Sequence, residues 1–180
     1  MVLRNTLTTY GPVAKFLHWL IFFLVIIMLT FGFFLGDVPN GYKPVAYNTH
    51  KLIGLTILML ILLRGCWALL NVKPMLPIGT PAYQKLAERV VHFTLYVLLI
   101  AMPLAGWIGS VAANKPPVLG HWKIWLPMAE NKLVNQVAFS FHYIIALTII
   151  LFVSIHVLAA LYHHYIKKDD ILRRMLPHRH

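Results

Sequence analysis

Acidic residues and cysteine are the scarcest chemistry in this sequence. Only 5 of 180 residues are Asp or Glu, against 16 Lys and Arg, and charged side chains of both signs make up 12% of the chain. A soluble domain carries about twice that share of charge, so a water-facing surface is excluded for most of the chain. The single cysteine, Cys66, lies in an apolar run, which rules out an internal disulfide and a thiolate metal cluster. Nor does the net charge of +11 indicate nucleic acid, because the basic residues sit at the ends of apolar runs rather than along an exposed face. What the chain has in quantity is apolar surface, at 59% hydrophobic residues. That balance belongs in a bilayer.

Crossing about 30 Å of hydrocarbon takes about 20 apolar residues per helix. The chain therefore accommodates four spans and short loops, with no room for a separate soluble domain. The expected fold is all-α, an integral membrane four-helix bundle forming one domain over residues 1–180. The first span, about 13–35, opens after Gly11-Pro12 and ends at Gly36-Asp37. It is too long for a cleaved signal peptide and no small-residue cleavage site follows, so it is expected to be retained. The second, about 46–70, is closed by Asn71 and by three prolines between Lys73 and Pro81. The third, about 86–111, contains Met102-Pro103, Gly106 and Gly109, which kink it or admit a close neighbour. The fourth, about 133–166, is long enough to project beyond the hydrocarbon.

The basic residues set the direction. Arg4, Lys15, Arg64, Lys73, Lys85, Arg89, Lys167, Lys168, Arg173, Arg174 and Arg179 flank one side, and Lys43, Lys51, Lys115, Lys123 and Lys132 the other. That bias puts both termini in the cytoplasm. The longest outer loop, 112–132, carries His121, Trp122 and Trp125, an interfacial aromatic belt or else a functional surface helix.

Ionisable groups inside a bilayer are costly and need partners, which draws attention to His18, His50, His92, His142, His156 and His163. His142 and His156 are 14 residues apart, which returns to nearly the same helix face about 21 Å further along. Two stacked sites follow, one toward each surface. Depth then assigns the partners: His18 with His156 on the cytoplasmic side, His50 with His142 on the outer side. Each pair offers two imidazole nitrogens to one metal, the arrangement a six-coordinate haem iron needs for electron transfer. Small residues lie one turn from these histidines: Ala14, Ala46 and Gly54, Ala138 and Ala146, and Ala160. They leave room for a flat macrocycle. His92 has Glu88 and Tyr96 there instead, and is not counted as an axial ligand. A lone membrane histidine is usually an interhelical hydrogen bond or an interface residue, but four at matched depths argue otherwise. Zinc or copper is disfavoured because no Asp, Glu or Cys accompanies the pairs and neither pair completes a tetrahedral shell. With no Cys-x-x-Cys-His sequence, haem would be held by coordination and packing alone. His178 and His180 belong to a basic, solvated tail.

The chain resembles the bacterial cytochrome b561 proteins. The resemblance rests on Leu17-His18-Trp19, on His50-Lys51-x-x-Gly54, and on Ala101-Met102-Pro103-Leu104-x-Gly106. It rests above all on the end of the chain, where His156 is followed by Tyr162-His163-His164-Tyr165, Lys168-Asp169, Leu172, Arg174-Met175 and Pro177. It covers nearly the whole chain. It implies two haem b groups with iron held by His18, His156, His50 and His142, a multi-pass place in the bacterial inner membrane, and quinone-linked electron transfer. Some proteins similar to this one oxidise superoxide at the outer face and reduce ubiquinone.

The residues bear on that activity. An outer face with Lys43, Lys51, Lys115, Lys123 and Lys132 against only Asp37 and Glu130 would steer a small anionic donor such as superoxide, although general basicity gives the same pattern. On the cytoplasmic side His163, seven residues beyond His156 and flanked by Tyr162 and Tyr165, is the candidate catalytic group for giving a proton to a quinone. A hydrogen bond to a headgroup or a haem propionate is the other reading of His163. Arg64 is expected to bind the cofactor through a propionate, with Arg89 and Lys15 as further candidates. The partners expected are lipid, quinone and the small donor, with no nucleic acid and no obligatory protein partner. The alternative function is a membrane electron-transfer subunit that anchors a separate dehydrogenase. A non-redox transporter or scaffold using the histidines structurally is a third.

Overall fold

A computed structural model describes residues 3–77 and 79–176. The readings made on Pro177, His178, Arg179 and His180 lie outside the described residues. Four long helices account for most of the chain: α1 (Pro12–Phe34), α2 (Lys43–Leu69), α3 (Ala82–Ala112) and α4 (Lys132–Tyr162). All four are long and apolar enough to cross a membrane. Their outer faces carry large apolar side chains in the open, among them Phe16, Phe23, Met59, Phe93 and Leu158. In water such a surface would be a liability, but against lipid it is the expected solvent-facing side.

The helices begin earlier than the apolar runs alone suggest. Pro44 occupies the first turn of α2, where a missing N–H costs nothing, so that helix starts at Lys43 rather than near residue 46. Pro81 caps α3, whose first turn, Ala82-Tyr83-Gln84-Lys85, is polar and reads as loop by hydropathy. Pro103 lies inside α3 without ending it. α4 is capped by Asn131, whose side chain accepts from the Val134 N–H at 3.0 Å. Its C-terminal end departs from the expected α-helix: residues His163–Lys167 form one π-helical turn, closed by Lys168 in the left-handed conformation at φ 55°.

The loop between α3 and α4 is neither a helix nor wholly irregular. It forms a short hairpin of β1 (Val118–Leu119) and β2 (Trp122–Lys123), turned at Gly120. The Asn48 side chain of α2 pins it with two hydrogen bonds to the Val118 backbone, each 2.8 Å. Trp122 is 80% exposed at its tip. At the opposite end, three segments lace together. Asn5 bonds to Asn71 and Val72, the Met75 N–H to Leu7, Thr9 to the Arg174 carbonyl, and the Trp19 indole to the Met175 carbonyl at 2.9 Å. The two ends of the described chain therefore meet on one face of the bundle.

α3 packs along α4, α2 along α3, and α1 along α2. α4 makes little close backbone approach to α1 or to α2. The buried core, including Ile21, Val25, Ile57, Ile61, Leu99 and Ile149, fills the middle of the molecule. Val25, Ile57 and Ile149 each lie seven residues beyond His18, His50 and His142, so this apolar layer sits between the two histidine levels.

Candidate cofactor sites between the helices

The histidines meet across the gaps beside α4. The rings of His18 and His156 have centroids 6.1 Å apart at an interplanar angle of 68°. Those of His50 and His142 are 6.2 Å apart, again at 68°. A metal-bound imidazole nitrogen sits about 2 Å from its metal, so two imidazoles on opposite sides of one ion have ring centres roughly 6 Å apart. Both pairs have that separation. Among the described residues no group of three or more His, Cys, Asp or Glu is placed to hold a metal, so each pair lacks the ligands of a tetrahedral site. A ring supplying four equatorial nitrogens fits this donor set; a bare zinc or copper ion does not.

The pair of His50 and His142 is the more fully built. His142 belongs to α4 and its Nδ1–H donates to the Met102 carbonyl at 2.9 Å. The carbonyl can only accept, so Nδ1 carries the proton and Nε2 keeps its lone pair for a metal. Gly106, one turn beyond, permits the contact, because a Cβ there would lie 3.1 Å from the His142 ring. Gly32 of α1 stands in the same relation to the His50 ring, with a Cβ distance of 3.1 Å. His50 and His142 line a cavity of about 280 Å³, shared with Gly54, Trp107 and Tyr143. A Cβ on Gly54 would meet nothing within 4 Å, which leaves a flat wall where a macrocycle would rest. Among the described residues the buried Nδ1 atoms of His18 and His50 have no hydrogen-bond partner, so these two rings are held by packing.

The pair of His18 and His156 has a neighbour the spacing did not reveal. The His92 ring lies 5.2 Å from that of His156. Its Nδ1–H is shared between the Glu88 carboxylate oxygen Oε1 and the Glu88 carbonyl, each at 2.9 Å, and the Lys73 ammonium donates to both carboxylate oxygens, at 2.8 Å to Oε1 and 3.0 Å to Oε2. The Glu88 at i−4, noted in sequence only as an obstacle, is what engages His92. Arg64 stands within electrostatic reach of both His18 and His156 and lies over the Tyr96 ring at 5.6 Å. Among the described residues it has no carboxylate partner. Burial, reinforced by Glu88, raises the Tyr10 phenol above its ordinary value, so it stays a neutral hydroxyl near Arg64. Lys15 is buried at 6% exposure, whereas Arg89 is exposed on α3.

His163 stands apart from both pairs, in the π turn. Its Nδ1–H donates to Asp169 at 2.5 Å. No sequence signal for that contact exists, since only the π turn brings residue 169 back to 163.

Bundles of membrane-length helices that present paired histidines to a flat prosthetic group form a class, the membrane-embedded b-type cytochromes. The particular family follows from comparison with known sequences. The family model of prokaryotic cytochrome b561 matches residues 9–178. The chain is 32% identical to cytochrome b561 homolog 2 of Escherichia coli over 98% of this chain and 95% of that protein. It is also 32% identical to a protein of Yersinia pestis named probable superoxide oxidase, over 89% of this chain and 92% of that one. Cytochrome b562 of Cereibacter sphaeroides is 28% identical, with 89% and 90% covered. The chain belongs to the prokaryotic cytochrome b561 family: a multi-pass membrane cytochrome b that binds haem b and transfers electrons as an oxidoreductase.

Proposed function

We propose that this protein carries two haem b groups and transfers single electrons from superoxide at its outer face to the ubiquinone pool, in the bacterial inner membrane with both termini in the cytoplasm. The observation that carries the reading is the repeated pair. Two sets of facing imidazoles share one separation and one angle, and an apolar layer lies between them.

In this reading His18 and His156 hold the inner haem, and His50 and His142 the outer. Each haem supplies a one-electron iron couple when bound. The protein does the rest. Met102 and Gly106 fix the His142 ring, and Gly32 lets α1 close on His50. Ile57, Ile61 and Ile149 keep water from the space between the sites. Arg64, half-buried and without a carboxylate partner among the described residues, offers its charge to a propionate of the inner haem. Lys43, Lys51, Lys115, Lys123 and Lys132 gather an anion at the outer face. His163 gives a proton from Nε2 to a quinone carbonyl oxygen at the other end. The sum is balanced: two superoxide anions, one ubiquinone and two protons become two oxygen molecules and one ubiquinol. A relative named as a probable superoxide oxidase supports the choice of donor.

Stopped-flow mixing of the purified protein with superoxide tests this. The b-type absorption of reduced haem should appear at once, and added ubiquinone should return it to the oxidised form. A protein that superoxide leaves oxidised, but that a co-purifying dehydrogenase reduces, is the anchor subunit instead.

A further inference from the structure

The end of α4 is built around a single contact. An α-helix continued past Tyr162 would carry residue 169 onward and away from residue 163. The π turn and the left-handed Lys168 reverse the chain instead, a conformation that a non-glycine residue adopts only where its surroundings hold it. The N–H groups of Lys168 and Asp169 both reach the His163 carbonyl, the latter at 3.2 Å. The Asp169 carboxylate is then held at both oxygens. Oδ2 accepts from His163 Nδ1–H at 2.5 Å, and Oδ1 accepts from the Ile171 N–H at 3.1 Å. Both side chains are mostly buried, at 17% and 19% exposure. The adjacent Asp170 behaves differently, pairing on the surface with Arg174 at 2.9 Å.

We propose that Asp169 is a positioning residue for quinone reduction, holding His163 in the tautomer that presents Nε2 to the substrate. The proposal rests on the reading of His163 as the quinone-facing group. A free neutral imidazole divides its proton between two nitrogens; a carboxylate on Nδ1 removes that choice and stabilises the imidazolium when Nε2 is also protonated. In each transfer the doubly protonated ring breaks its Nε2–H bond as a quinone O–H bond forms and returns to the Nδ1–H tautomer held by Asp169, while one electron arrives through the activity proposed above. His163 is reloaded from water, and two transfers complete the quinol. The π turn is thus the device that sets a proton donor at the membrane boundary, which a regular helix end would leave free to rotate.

The test uses the full-length holoprotein with superoxide and a short-chain ubiquinone. Asp169→Asn should lower kcat on the order of 10- to 100-fold, with the KM for quinone within about twofold of the parent. Haem content and the rate of haem reduction by superoxide should be unchanged. Asp169→Glu, which keeps the acceptor-only carboxylate that the amide of Asn replaces, should recover much of the loss, and Asp170→Asn should match the parent. Histidine ¹⁵N NMR should show the Nδ1-protonated imidazole of His163 in the parent and lose that signature in Asp169→Asn. Parental kcat in Asp169→Asn beside an impaired His163→Ala overturns the role of Asp169 alone. Parental turnover in His163→Ala overturns both readings. A loss that Asp169→Glu does not relieve, or one that falls on KM as heavily as on kcat, also overturns the role, because it marks Asp169 as merely structural.

Discussion

A single carbonyl decides the chemistry available to His142. The Met102 oxygen accepts from Nδ1, leaving Nε2 as the only ring nitrogen with a free lone pair, and Gly106 keeps the ring where that bond can form. Two predictions follow at this scale. His142→Ala should cut the haem content by pyridine haemochrome from two per chain to one, and retention of both would sink the ligand assignment. Gly106→Val tests the cradle without touching a ligand. Its Cβ would begin 3.1 Å from the ring and its methyl groups would push closer. The Met102 bond, worth about 1 kcal/mol, should be lost along with the alignment of Nε2. Outer-haem occupancy should drop while the inner haem remains, and full occupancy of both would show that the close approach is incidental. His92 makes the same kind of bond. Its ring is nearer to His156 than the His18 ring is, and its Nδ1–H is held by Glu88, so its Nε2 also keeps a lone pair.

At the scale of elements, the sequence disclosed what hydropathy and spacing control. The four spans were legible because their apolar runs are long and are broken by Pro and Gly clusters. The histidine pairing was legible because a 14-residue interval on one helix sets two depths at once. The polar first turns of α2 and α3 were missed, since hydropathy reports the lipid-buried stretch and not the helix. The hairpin after α3 was also missed: β1 and β2 are two residues each, too short to alternate, and Asn48, 70 residues away, holds them in place. The π turn had no periodic signature at all. The Asn48 anchor is open to measurement. Asn48→Ala removes two backbone hydrogen bonds, each worth about 1 kcal/mol. Amide exchange across residues 118–123 should accelerate roughly 10- to 100-fold, while α3 and α4 keep their protection. Unchanged exchange would mean that the hairpin is held by the Trp107 indole bond to the Ile124 carbonyl instead.

Across the whole molecule both ends are basic, so the proposed direction of electron flow is tested by salt dependence together with local charge reversal. Screening shortens the reach of charge from about 10 Å at 0.1 M salt to about 3 Å at 1 M. The second-order rate of haem reduction by superoxide should therefore fall several-fold over that range if lysines gather the anion. Local reversal then separates the ends. Lys115 and Lys123 are exposed around the hairpin, and Lys167 and Lys168 are exposed beyond α4. Lys115→Glu with Lys123→Glu should slow reduction by superoxide and flatten its salt dependence, leaving quinone-driven reoxidation untouched. Lys167→Glu with Lys168→Glu should leave the superoxide step as it was. The reverse pattern would turn the proposed electron path end for end, because the donor would then arrive beside His18 and His156, and the π turn holding His163 would sit at the entrance rather than at the exit.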